Sequence, residues 1–66
     1  MNFDIIGVME KSNNFVFSAH TYYVPRQNEE LEIDGKVFVV KHVIYKLSNG
    51  DFTTQNVRLV LAYKGN

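Results

Sequence analysis

Apolar residues along this chain return at every second position, and no window holds the i, i+3, i+4, i+7 spacing over a helical length. β-Branched and aromatic residues fill runs that end in turn-forming residues. That pattern predicts strands at 2–9, 14–23, 29–34, 36–47 and 52–63. The sharpest local signal is Leu31-Glu32-Ile33-Asp34-Gly35-Lys36-Val37-Phe38. Asp-Gly between alternating segments predicts a two-residue type I′ hairpin, in which both central residues need positive φ. Ile33 then faces Lys36 and Leu31 faces Phe38, with Leu31, Phe38 and Val40 inward and Glu30 and Glu32 outward.

Strict alternation beyond Val40 would bury His42 and expose Val43 and Tyr45. A β-bulge at Lys41-His42 restores the phase, keeping Phe38, Val40, Val43, Tyr45 and Leu47 on one face. Ser48-Asn49-Gly50-Asp51 predicts a second hairpin. A three-residue loop, Asn49 to Asp51, sets Tyr45 opposite Gln55 and Val43 opposite Val57, with Val57, Leu59, Leu61 and Tyr63 inward. In the N-terminal half Phe3, Ile5 and Gly7 alternate, and Gly7 suits a bend or bulge. Glu10 to Asn14 reads as a turn, and Thr21 to Asn28, containing Pro25, as a longer loop.

Five bent antiparallel strands in 66 residues predict an all-β fold, a small five-stranded barrel filling one domain, 1–66. From Pro25 to Tyr45 the layout is loop, short acidic strand, Asp-Gly turn and long bent strand. It resembles small SH3-like barrels, with an incomplete OB-like barrel as the alternative. The resemblance is architectural and transfers no functional residue.

The same phases leave Val37, Val39, Ile44, Val60 and Ala62 pointing away from the barrel interior. A sheet face left in water should be polar, so an apolar one implies a second layer. A chain this short buries only about 60% of its unfolded surface and does not easily build two cores. A second copy is therefore the expected cover, ahead of a crossing of the N-terminal strands or a different protein. Glu30 and Glu32 on one side, with Lys41, Lys46 and Arg58 on the other, would frame the patch and set its register.

Composition narrows the picture further. The chain is 45% hydrophobic with one proline, which excludes intrinsic disorder. It has no cysteine and a net charge of zero, so no disulfide staples it and no overall field draws it to nucleic acid or membrane. Charge is nonetheless split: residues 1–35 carry two bases and six acids (2 − 6 = −4), residues 36–66 five bases and one acid (5 − 1 = +4). The N-terminal stretch lacks signal-peptide features and no run reaches the roughly 18 apolar residues of a membrane span. A cytoplasmic protein is expected.

Candidate chemistry is sparse. No nucleophile elbow surrounds Ser12, Ser18 or Ser48, and no glycine loop suits phosphate. Glu30 and Glu32 share an exposed strand face, where carboxylates stay solvated rather than acting as acid and base. His20 and His42 have no zinc-type spacing. We therefore expect no enzyme activity, no cofactor, no metal and no small-molecule substrate. Single-stranded nucleic acid is the alternative ligand, using Tyr22 and Tyr23 as stacking platforms with Arg26, Lys41, His42 and Arg58 as basic contacts. The acidic 29–34 segment opposes it. The leading expectation is a non-enzymatic protein-binding module (a regulator, inhibitor or assembly subunit) acting as a homodimer.

Overall fold

The computed structural model describes residues 2–48 and 51–65, the side chains of residues 48 and 51–55 excepted. Five strands form one sheet: β1 (Phe3–Met9), β2 (Phe15–Thr21), β3 (Glu30–Ile33), β4 (Lys36–Ser48) and β5 (Asp51–Gly65), in the spatial order β2-β1-β5-β4-β3. All pairs are antiparallel except β1 with β5, which is parallel and joins Phe3–Met9 to residues 55–61. The fold is thus all-β and strongly curled, as expected. It is a half-barrel built on a mixed sheet, where a wholly antiparallel barrel was expected.

β5 holds the centre, with β1 and β4 along its two edges, and its sequence is correspondingly apolar. Val57-Arg58-Leu59-Val60-Leu61-Ala62-Tyr63 is apolar at nearly every position. Val57, Leu59 and Leu61 reach 0–2% exposure on the concave side. Ile5, Phe38 and Val40 complete the buried cluster, and Phe3, Met9, Leu31 and Val43 pack at its margin. Edge-to-face ring pairs extend it: Phe38 with Tyr63 at 5.6 Å and Phe3 with Tyr45 at 6.5 Å.

Among the described residues four register irregularities interrupt the ladders, one of them between Lys46 and Ser48 at the β4–β5 turn, and the other three lie within the sheet. Between Val40 and His42 the register passes over Lys41, the bulge that the apolar phase required. Between Val37 and Phe38 the partner strand passes over Lys64, and between Gly7 and Val8 the β2 side passes over Val16. At the last of these, an added Cβ on Gly7 would stand 2.4 Å from the Phe17 ring, so glycine is what lets the ring lie across β1. The Asp34-Gly35 turn has φ of 52° and 81°, and Ile33 pairs with Lys36, as the dipeptide predicts.

One register differs from expectation. Tyr45 pairs with Val57 and Val43 with Leu59, two residues further along β5 than the three-residue loop implied. A shift of two preserves the alternation, and Val57, Leu59 and Leu61 are buried as expected, whereas Tyr45, Leu47 and Tyr63, expected inward, are 51%, 56% and 52% exposed. Ser48 pairs with Asp51, and Asn49 and Gly50, within the expected loop, lie outside the described residues.

The loop from Tyr22 to Glu29 closes one end of the half-barrel. Pro25 is buried and Val24 packs on the core. Asn28 N–H donates to Val40 O and Val40 N–H to Glu29 O, carrying the β3–β4 ladder one residue past the strand.

Candidate interaction surfaces

Alternation from the buried concave residues places the other side chains on the convex face. There the register aligns Ile6, Arg58 and Ile44 in one row across β1, β5 and β4, and Val8, Val60 and His42 in the next. Ala62 and Val39 follow, then Val37 opposite Gly65. All five residues expected on this patch, Val37, Val39, Ile44, Val60 and Ala62, lie on it together. Ile44 is 43% exposed and the other four are half-buried. Two residues join them that the sequence reading did not name: Ile6, 48% exposed, and Val8, nearly buried between its register partners Phe15 and Val60. Their even-numbered alternation with Ile5 and Gly7 was the available signal. The N-terminal strands extend the sheet sideways and do not cross this face.

Charge frames the patch unevenly. Glu30 and Glu32 stand on β3 beside Val39 and Val37. At the other end Asp4, His20, Asn56 and Lys46 form a polar row, with Arg58 next to it. His20 Nδ1 donates to Asp4 Oδ1 at 2.5 Å, and Lys64 donates to Glu30 across β4. Some of the acidic first half is therefore matched against the basic second half across strands.

The six residues considered for nucleic acid are not gathered into one groove. Tyr22 is 81% exposed on the loop, and Arg26 lines a shallow cavity with Val43 and Tyr45. Arg58 lines a different one with Asp4, Ile6 and Lys46, His42 lies on the convex face, and Lys41 is exposed at the bulge. Tyr23 is engaged elsewhere: its hydroxyl donates to Glu29 Oε1 at 2.9 Å, and Arg26 N–H donates to the same oxygen at 2.6 Å. The Arg26 backbone bond, with the Tyr23 hydroxyl second, lowers the Glu29 pKa, while the Glu29 bond raises that of Tyr23. This clasp sets a carboxylate against the Tyr23 hydroxyl and the Arg26 backbone. Among the described residues no group of three or more His, Asp or Glu is placed to hold a metal ion, and no helix is long and apolar enough to cross a membrane.

The concave side ends in a second surface. Between the sheet's outermost strands, β2 and β3, runs a largely apolar groove of about 340 Å³. No family model matches the chain, and no curated protein or solved structure is significantly similar to it.

Proposed function

We propose that this protein is a small non-enzymatic interaction module that pairs with a second copy of itself through the convex sheet face. The observation that carries the reading is the presence of two apolar faces on one sheet. The concave side supplies the core, yet apolar residues continue across the convex side, where Ile6 and Ile44 are exposed and Val37, Val39, Val60 and Ala62 are half-buried. A standard interface takes roughly 800 Å² from each partner, about a sixth of the 4726 Å² here, and the 40 × 22 Å outline offers a face of that order. A two-fold axis near the Val60 row would carry the Glu30 and Glu32 margin of one copy toward the Lys46 and Arg58 end of the other. A regulator, inhibitor or assembly subunit would act through such a face in a cytoplasmic setting.

The test is solution mass by light scattering over a concentration series, for wild type and Ile44→Asp. Ile44 is exposed in the single chain, so the substitution spares the core. In a dimer it would bury an unmatched carboxylate, costing roughly 2 kcal/mol or more and weakening association at least about thirtyfold. A folded wild-type monomer at every concentration overturns self-association.

A further inference from the structure

The groove between β2 and β3 is bounded by two strand edges that have no partner strand. β2 and β3 are the sheet's outermost strands and, given one parallel and three antiparallel pairings, run in opposite directions. They are consecutive in the chain and joined at one end by the Tyr22–Glu29 loop, yet no ladder closes the barrel between them. The lining includes Ile5, Phe17, Ala19, Leu31 and Ile33, with Glu32 at its margin. Its volume falls in the lower part of the ~300–1,000 Å³ range of binding clefts.

Free edges expose a row of unpaired N–H and C=O groups. Proteins usually blunt them with lysine, proline or a bulge. β2, FVFSAHT, has neither lysine nor proline, and its bulge lies at the start, leaving Phe17 to Thr21 in regular register. β3 is blunted by acid alone. Glu30 is paired with Lys64 and Glu29 is held by Tyr23 and Arg26, whereas Glu32 has no partner among the described residues.

We propose that this seam takes an extended segment of a partner protein as a sixth strand. The segment carries apolar side chains at alternate positions, facing the groove, and Lys or Arg between them, beside Glu32. Main-chain hydrogen bonds to the edges supply affinity, and the alternate side chains supply selectivity. The added strand runs antiparallel to the longer edge, β2, and hence parallel to β3, because the antiparallel ladder is slightly more stable per residue. The groove shares no apolar residue with the convex patch, and only Glu32 borders both, so Ile44→Asp separates this inference from self-association.

The probe is an end-capped heptapeptide alternating lysine and valine, titrated into the full isotope-labelled chain while amide shifts and hydrogen exchange are followed. Saturable binding is expected, with slowed exchange along residues 17–21. An alternating glutamate–valine peptide should bind at least about tenfold more weakly, and backbone N-methylation of the lysine peptide should abolish binding. Glu32→Lys should reverse the charge preference. Ala19→Phe, at an exposed position lining the groove, should lose the peptide while the spectrum stays dispersed. Ile44→Asp should bind it as wild type does, which keeps the two surfaces separable. Absent saturation, equal binding of both charge types, tolerance of N-methylation, or shifts confined to Ile44 and Val60 would each overturn the proposal.

Discussion

Replacing Gly7 by alanine adds one methyl group at the tightest crossing in the sheet. The new Cβ would stand 2.4 and 2.6 Å from two Phe17 ring carbons and 3.0 Å from Leu61 Cδ1. Carbon atoms rest at about 3.5–4.0 Å, so the ring must retreat by roughly 1 Å. Overpacking of this kind costs about 1–3 kcal/mol. Alanine recovers ~0.5–1 kcal/mol, because glycine loses more backbone freedom on folding. The net expectation is a loss of about 0.5–2 kcal/mol, from a total of roughly 3–10 kcal/mol at ~0.05–0.15 kcal/mol per residue. Urea unfolding measures it as a fall in midpoint at unchanged slope. The control is the same change in a Phe17→Ala background. With the ring gone the clash is gone, and Gly7→Ala should then be neutral or stabilising, giving a coupling of about 1–2 kcal/mol. An equal cost in both backgrounds, or stabilisation of the wild type, would refute the steric account.

Three further predictions concern the turn, the bulge and the loop clasp. Gly35→Ala should cost about 1–2 kcal/mol in urea unfolding, because φ at this position is 81° and a Cβ is disfavoured there, whereas Asp34→Asn should stay within ~0.5 kcal/mol, since Asn-Gly suits the same turn. Deleting Lys41 should keep the dispersed NMR spectrum, because the register already passes over it and residues 42–48 hold their faces, and Lys41→Ala at this exposed bulge position should shift stability by less than ~0.5 kcal/mol. Glu29 releases its proton more readily in the folded chain than in the unfolded one. Its clasp therefore contributes fully above the ordinary glutamate range, and the contribution is lost as pH falls through the lowered folded value. A carboxyl-carbon NMR titration should place the Glu29 midpoint below the usual value, and Tyr23→Phe should restore it only in part, because the Arg26 N–H is the larger cause. An ordinary midpoint in wild type would contradict the clasp.

What the sequence revealed was set by how local each signal is. The Asp34-Gly35 turn is encoded in two adjacent residues. The Lys41 bulge shows because the apolar phase slips by one position between Val40 and Val43, and side-chain alternation is sensitive to odd shifts. It is blind to even ones, which is why the β4–β5 register was displaced by two while Val57, Leu59 and Leu61 were rightly placed inward, and it does not report how far burial extends along a strand, so Tyr63 was expected inward yet is exposed. The parallel pairing of β1 with β5 joins segments some fifty residues apart and leaves no turn chemistry to read. The convex patch was legible wherever strand phases could be tied to a hairpin, which covered β4 and β5 but left out Ile6 and Val8. The groove between β2 and β3 was not legible at all. Alternation reports which face a side chain takes, and nothing in Phe17, Ala19, Leu31 or Ile33 tells whether two edges meet.

The parallel pairing has a consequence for how the molecule comes into being. The β1–β2 and β3–β4 hairpins can each form from neighbouring residues, but only β5 joins them, and β5 is made after the other four. Until it arrives, Ile5 on one hairpin and Phe38 and Val40 on the other lack the strand that brings them into one core. Contacts between such distant segments put folding in the millisecond-to-second range typical of high-contact-order β proteins. For that interval the nascent chain presents apolar hairpins without their central strand, a transient exposure of the kind that favours aggregation and that the finished sheet removes.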